Sequence, residues 1–210
     1  NRLVQWGAAN PQITGTMAQA GAIPLDFDGF GVAGGDGEAI VLDGMALVSD
    51  PDTGEVSVMQ LDTEIAFAGI MSGFDADIEA TIDEAVDCGT DLNDYLNGVV
   101  GDADAERMAA FRLRGVFDDV SYVVDKGVSA DQEQSQRSDL EVTMVGVKAG
   151  SYVTGGSFTL GEELIGLGEY PIHLHFVTDD LQVVGHVRSC TISSGTVEIA
   201  LANTFDVRLE

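Results

Sequence analysis

The sequence predicts an α+β protein, rich in strand, with mixed or antiparallel sheets and one or two short helices. Three observations lead there. Apolar residues recur mainly in short runs punctuated by glycine and aspartate turn signals. One stretch, Asp75 to Tyr95, shifts to helical spacing. From Leu140 to the end, strand patterns return and dominate. Hydrophobic residues make up 45% of the 210, enough to bury a substantial core and to exclude wholesale disorder.

Residues 1–22 alternate small and polar types with few strong signals and read as a lead-in to one domain over 23–210. Within that domain, an N-terminal sheet with the helices spans about 23–125 and a C-terminal sheet about 140–210. Gly29, Gly31, Gly34, Gly35 and Gly37 crowd the approach to Ala39-Ile40-Val41-Leu42, a strand. This glycine run lacks the lysine and the serine or threonine of a phosphate loop, and no helical pattern follows it. Asp43-Gly44 is a hairpin signal, with Met45 to Val48 as the returning strand. Asp50-Pro51-Asp52-Thr53-Gly54 turns the chain again before a strand over Glu55 to Leu61. Ile78, Ile82, Ala85 and Val86, then Leu92, Tyr95 and Leu96 after a break at Gly89, suggest two short helices. Asp75 and Asp77 suit the N-terminus of the first by capping and dipole.

Phe111 to Val124 returns to strand character, with Arg112 and Arg114 alternating against Phe111 and Leu113 and so assigned to the outer face of the strand. Lys126 to Asp139 is polar and without period, which reads as a long surface loop or flap. Strands are then expected over Leu140–Val147, Ser151–Leu160, Ile172–Val177, Val183–Cys190, Thr196–Leu201 and Phe205–Leu209. Cys88 and Cys190 are too few for a disulfide framework and read as two buried thiols or one bridge.

Thirty-six acidic against nine basic residues leave a net charge of −27, and Lys126 and Lys148 are the only lysines. Nucleic acids and anionic lipids both require cationic patches, so neither is expected as a partner. The longest apolar runs fall far short of a membrane span. The acidity serves solubility or marks adaptation to high salt, where about 1 M electrolyte shortens the Debye length to roughly 3 Å and screens self-repulsion. The chain opens at Asn1 rather than Met, read as removal of a leader or as trimming. Secretion is therefore favoured over the cytoplasm of a high-salt organism.

The chemistry concentrates in Ile172-His173-Leu174-His175-Phe176. On a strand, His173 and His175 share one face while Ile172, Leu174 and Phe176 face a core. Thr178-Asp179-Asp180-Leu181 breaks the run with turn residues. If that turn centres between Asp180 and Leu181, His186 lies directly opposite His175, with Cβ atoms about 4.5–5.5 Å apart. An HxH pair on a strand is often no more than two hydrogen-bonded or surface histidines. Here, however, all three histidines of the chain fall within this hairpin, and the third lands at the cross-strand partner position. Three neutral imidazoles suit zinc or another divalent transition metal and leave a coordination position open, as catalytic rather than structural sites do. Glu38, after the glycine cluster, is the next candidate, although a solvated strand-edge carboxylate is the commoner fate in so acidic a chain.

The hairpin, Tyr170-Pro171-Ile172-His173-Leu174-His175-Phe176-Val177-Thr178-Asp179-Asp180 followed by Gly185-His186-Val187, resembles that of the acetolactate decarboxylase family. The family pattern there is HLHF, a short acidic turn and GGHV. Asp36-Gly37-Glu38, with Gly29-Phe30-Gly31 before it, is similar to the family's "FGxGT…LDGE" segment, and Phe205-Asp206-Val207-Arg208-Leu209 to its last core strand. The blocks match in order across residues 23–210.

The resemblance implies an acetolactate decarboxylase-like fold and metal-dependent conversion of 2-acetolactate, or a related branched 2-hydroxy-3-keto acid, to acetoin. It further implies zinc on His173, His175 and His186, an enediolate stabilised by that metal, and a homodimer or higher homo-oligomer. Glu38 is the matching carboxylate that helps deliver a proton. Lys126 stands where the family has an arginine, keeping the charge but losing the bidentate fork, and Arg137 lies nearby in sequence. The family's further active-site glutamate lies on a tail beyond the last matched strand; here Glu210 follows that strand. The rival expectations are a non-decarboxylating metal-binding or assembly module on the same fold, and an isomerase or hydrolase using the same metal.

Overall fold

A computed structural model describes residues 2–7, 15–16, 27–33, 37–59, 64–105, 107–124, 134–148 and 172–209. One sheet joins β1 (Arg2–Gly7), β2 (Gly15–Thr16), β3 (Phe27–Ala33), β4 (Glu38–Leu42), β5 (Met45–Ser49), β6 (Val56–Met59), β7 (Glu64–Ser72) and β14 (Thr204–Leu209). Its order is β14-β1-β7-β3-β4-β5-β6, with β2 on β7. β1 and β14 run parallel, and the other described pairs of this sheet are antiparallel.

The second sheet holds β8 (Ile78–Ile82), β9 (Val86–Asp87), β10 (Ala109–Val123), β11 (Gln134–Lys148), β12 (Ile172–Thr178) and β13 (Val184–Leu201). Its order is β10-β11-β12-β13-β8, and β10 also pairs with β13, so four strands close into a ring. The only helix among the described residues is α1 (Thr90–Val100). The α+β, strand-rich class predicted from sequence is the observed one.

Alternation on the second sheet divides its residues between two cores. Phe111, Leu113, Met144, Leu174, Phe176 and Ile199 face a large core that α1 closes with Leu92, Leu96 and Val100, at helical i, i+4 and i+8 spacing. Val145, Val177 and Val184 face the other way and pack against Ile40 and Leu47 of the first sheet. Burying each of these aliphatic side chains contributes about 1.5–3 kcal/mol before the cost of ordering. This small inter-sheet cluster holds β4 against the histidine-bearing face.

Much of the hairpin arithmetic holds. Asp43 and Gly44 adopt φ of 48° and 76°, the left-handed pair that a two-residue hairpin needs, and Leu42 pairs with Met45. Asp50 accepts bonds from the N–H groups of Asp52 and Thr53 at 2.9 and 2.8 Å, closing the second turn. The helical reading over Asp75 to Val86 is overturned. Ile78–Ile82 is a strand paired with β13, because Ile78, Ala80 and Ile82 also satisfy a period of two. Asp77 caps no helix; its carboxylate accepts the Leu201 N–H at 2.8 Å.

Part of the stretch expected as a loop over Lys126–Asp139 is strand, and residues 126–133 lie outside the described residues. Gln134–Asp139 continues β11 in register with β10, and its side chains are solvent-exposed, so no apolar alternation could mark it. The strands expected over Val183–Cys190 and Thr196–Leu201 are one strand, β13. Gly115 and Gly195 pair at a close approach of β10 and β13, where a Cβ on Gly115 would strike the Ser194 backbone. Arg2–Gly7, inside the segment read as a lead-in, is a strand between β7 and β14. The strand expected over Ser151–Leu160 lies outside the described residues.

Cys88 and Cys190 form a disulfide, Cα atoms 5.0 Å apart, that ties the approach to α1 onto β13. The two cysteines are 102 residues apart, so the bridge removes considerable freedom from the unfolded chain. Reduction, or Cys190→Ala, should therefore lower unfolding free energy by about 2–5 kcal/mol. Urea unfolding with and without reductant measures this; superimposable curves would show that the bridge carries no stability.

Candidate metal centre

His173 and His175 stand on β12 and His186 on β13, all on the face that meets the first sheet. The register is the one that the turn position predicts: His175 pairs with His186, Phe176 with Gly185 and Val177 with Val184. The turn is fixed by its own polar groups. The Thr178 N–H donates to the Val183 carbonyl at 3.0 Å, and its hydroxyl donates to Asp180 Oδ1 at 2.6 Å. Leu181 takes the left-handed φ of 56°.

The three rings lie 4.5–5.1 Å apart between centroids, and one ligand nitrogen from each falls within 4.8 Å of the others. His173 Nε2 and His175 Nε2 are 3.0 Å apart. Tetrahedral zinc with bonds of 2.0–2.1 Å needs ligand nitrogens about 3.4 Å apart, so the cluster fits such an ion with small side-chain movements. His173 and His175 are buried, while His186 is partly exposed and marks the side open to solvent.

Electrostatics keep the cluster in its ligand form. Burial is the largest influence lowering the His175 pKa well below the usual imidazole value, followed by the neighbouring His186 and His173; a backbone hydrogen bond at Ala39 offsets part of this. Burial likewise pushes His186 well down, with His173 and Arg188 adding to it. Both rings are neutral at physiological pH, as metal binding requires.

Glu38 enters from the other sheet. It shares a face of β4 with Ile40, whose side chain packs in the inter-sheet cluster, and this turns the carboxylate toward the histidines. Its Oε2 lies 3.3 Å from His175 Nδ1, and neither side chain has more than 1% exposure. It is not a solvated strand-edge carboxylate. Gly37, immediately before it, has φ of 100°, and a Cβ there would strike the Ser49 carbonyl, so the chain enters β4 through a conformation that favours glycine.

The chain's similarity to known proteins coincides with this site. The family model described as Alpha-acetolactate decarboxylase matches residues 28–210, spanning Glu38 and all three histidines. The chain belongs to the alpha-acetolactate decarboxylase family. A curated alpha-acetolactate decarboxylase from Streptococcus thermophilus is 25% identical over 189 residues, covering 82% of this chain and 71% of that protein. The crystal structure of alpha-acetolactate decarboxylase from Bacillus subtilis strain 168 superposes with a TM-score of 0.78 at 19% identity, covering all of this chain and 89% of that one. A Staphylococcus aureus protein of unknown function, similar to alpha-acetolactate decarboxylase, gives the same TM-score, identity and coverage. At that identity the superpositions establish the decarboxylase-family fold.

Of the residues singled out from sequence, His173, His175, His186 and Glu38 come together, while Lys126 and Glu210 lie outside the described residues. Arg112, which alternation with Phe111 and Leu113 puts on an outer strand face, is instead buried beneath the β4–β5 hairpin. Its guanidinium donates to Asp43 Oδ1 at 2.7 Å, lies 3.7 Å from Glu198 and stacks 5.1 Å from the Phe74 ring centroid. Alternation separated Arg112 from Phe111 correctly but carried no sign that a second sheet covers that face. Arg114 is exposed, as the outer-face reading requires.

The buried neutral histidines make stability depend on pH. In the unfolded chain they titrate near 6.5, above their lowered native values. Below 6.5 the unfolded state therefore binds more protons than the native one, so the stability present above that value is lost as pH falls toward the native pKa values. The metal-free protein should melt at progressively lower temperature from pH about 7 to about 5, and His175→Ala should flatten part of that slope. Melting curves across this range provide the measurement; identical slopes in the two proteins would refute the assignment.

Proposed function

We propose that the protein decarboxylates 2-acetolactate, or a closely related branched 2-hydroxy-3-keto acid, to acetoin, using a divalent metal on His173, His175 and His186. The observation that carries the reading is three convergent, neutral imidazoles in a chain that matches the alpha-acetolactate decarboxylase family across them. An all-imidazole donor set favours zinc, with other divalent transition metals as alternatives. When bound, such an ion supplies Lewis acidity toward the substrate's carbonyl and hydroxyl oxygens, an electron sink for the pair left behind when CO₂ departs.

The chain's own residues bind, orient and exclude water. His173 and His175 are locked between the sheets, so their nitrogens are presented with little conformational freedom. The partly exposed His186 edge is the side from which a small substrate arrives. In the reaction the bond between the carboxylate carbon and C2 breaks, CO₂ leaves with no net redox change, and the resulting enediolate takes one proton to become acetoin. Sequence likeness assigns proton delivery to Glu38 and the pairing of a cation with the departing carboxylate to Lys126, in the arginine's place.

The reading extends to assembly and location: a homodimer or higher homo-oligomer, outside the cytoplasm. The Cys88–Cys190 bridge supports an oxidising compartment, and the net charge of −27 supports a salty one. The second reading, a metal-binding or assembly module without decarboxylase activity, draws on the Lys126 replacement, since a lysine cannot reproduce bidentate carboxylate recognition.

Metal analysis and an acetoin assay on wild type and His175→Ala decide between them. Wild type loaded with zinc should hold about one ion per chain and release CO₂ from racemic acetolactate, and the variant should lose both. Metal-replete wild type that forms no acetoin would eliminate the decarboxylase and leave the module.

A further inference from the structure

We propose that Arg188 receives the carboxylate of the substrate at the mouth of the histidine cluster, supplying the planar, two-pronged donor that Lys126 lacks. The inference rests on the decarboxylase reading of the site and adds a binding residue to it.

The placement follows from the strand that carries His186. Val187 and Cys190 both lie in the large core, although residues three apart on a regular strand face opposite sides. The register with β10 accounts for this. Tyr122 pairs with Val187 and Ser121 with Ser189, so Arg188 is the extra residue of a β-bulge. The bulge turns both Arg188 and Ser189 out of the core, and both are exposed. His186, one residue before Val187, also points away from that core and toward the other two ligands. Arg188 and the third histidine therefore stand on one face of β13.

Two residues of strand span about 7 Å, a distance that an arginine side chain can cover. His186 is the partly exposed member of the cluster, so the guanidinium borders the side from which a substrate arrives. Its charge accordingly weighs against protonation of His186. Among the described residues, other arginines serve elsewhere. Arg107 pairs with Asp104 at 3.0 Å, and Arg112 is held beneath the β4–β5 hairpin by Asp43. Arg114 lies in the first half of β10, whereas His186 pairs with Val123 at its end.

A 2-hydroxy-3-keto acid held at the cluster through its carbonyl and hydroxyl oxygens carries its carboxylate on the carbon that bears the hydroxyl. A guanidinium engages both carboxylate oxygens through two parallel N–H···O bonds. Exposed ion pairs between two mobile side chains are worth little, but an anion already anchored loses less freedom on pairing. With five N–H donors, Arg188 can receive it alongside a further interaction that it makes in the structure. The pairing also offsets, at close range, the repulsion between the anion and a chain of net charge −27. Because it is made in the ground state and lost as CO₂ departs, it acts on substrate binding rather than on the chemical step.

The test uses the full, zinc-loaded chain as wild type, Arg188→Ala and Arg188→Lys, with two probes. One is 2,3-dihydroxy-2-methylbutanoate, the substrate with its ketone reduced, which keeps the carboxylate and is not decarboxylated. The other is its uncharged methyl ester. Calorimetry reads both affinities, and zinc content is measured on each protein. Arg188→Ala should weaken binding of the acid about 10- to 100-fold and change that of the ester less than about twofold. Arg188→Lys, which keeps the charge without the fork, should fall between. With acetolactate, Arg188→Ala should raise KM and leave kcat near that of wild type.

Unchanged affinity for the acid in Arg188→Ala would overturn the proposal. Equal losses for acid and ester, or loss of zinc, would do the same by making Arg188 a structural residue. If Arg188→Ala does not fold, Arg188→Lys carries the comparison, and wild-type affinity for the acid in that variant refutes the fork. Probe binding needs no turnover. Wild type that binds the acid but forms no acetoin would thus remove the decarboxylase reading and leave the Arg188 measurement intact.

Discussion

The pairing of His175 with His186 across the β12–β13 turn is the constraint on which the rest of the structure depends. A slip of one residue would carry every side chain of β12 to the opposite face. Such a slip is penalised twice here, because both faces of the strand are buried. Leu174 and Phe176 fill the large core, while Val177 helps pack the smaller cluster against the first sheet. Exchanging the faces would push the histidines into the apolar core and pull large apolar side chains out of it. The site geometry is thus a by-product of packing on both sides of one short strand, reinforced by the Thr178–Asp180 turn.

The second requirement is that the two sheets meet in a fixed relation. Two contacts on β4 and its turn provide it. Near the middle, Ile40 inserts between Val145, Val177 and Val184. At the turn, Asp43 is held by Arg112, itself anchored by Glu198 and Phe74 on the neighbouring elements. The Arg112–Asp43 pair has one well-exposed partner, so its own energetic worth is small, and its value lies in alignment. With β4 pinned at these two points, Glu38 at its other end can reach a ring on a different sheet. Contacts that stabilise the inter-sheet interface and contacts that shape the site are the same contacts.

These relations explain which parts of the structure were legible in the sequence. Hairpins are local, and the Asp43-Gly44 and Thr178–Leu181 turns fix their registers by chemistry contained within a few residues. The ligand cluster was therefore readable by counting from a turn. Elements whose pattern fits two periods were not separable: Ile78 and Ile82 stand four apart, which serves a helix and a strand equally, and only pairing with β13 decides. Gln134–Asp139 carries no strand pattern because a strand exposed to water has no reason to alternate. The burial of Glu38 and Arg112 depends on which sheet covers which face, and no local pattern encodes that. Glu38 was a candidate from its place after the glycine cluster, but only family likeness gave it a role beyond that of a solvated strand-edge carboxylate.

The charge of the molecule bears on the proposed chemistry in two opposing ways. A surface carrying a net −27 concentrates cations, which favours loading of a neutral trihistidine site. The same field repels the anionic carboxylate of a 2-hydroxy-3-keto acid. Close to the cluster the balance is more favourable, since Arg188 is near enough to His186 to depress its protonation. Dissolved salt acts differently on the two distances: at molar concentration, screening over roughly 3 Å removes the long-range repulsion and spares contacts within the site. Strong acidity and an anionic substrate are therefore compatible where the surface field is screened, which is the physical link between the composition of this chain and the reaction proposed for it.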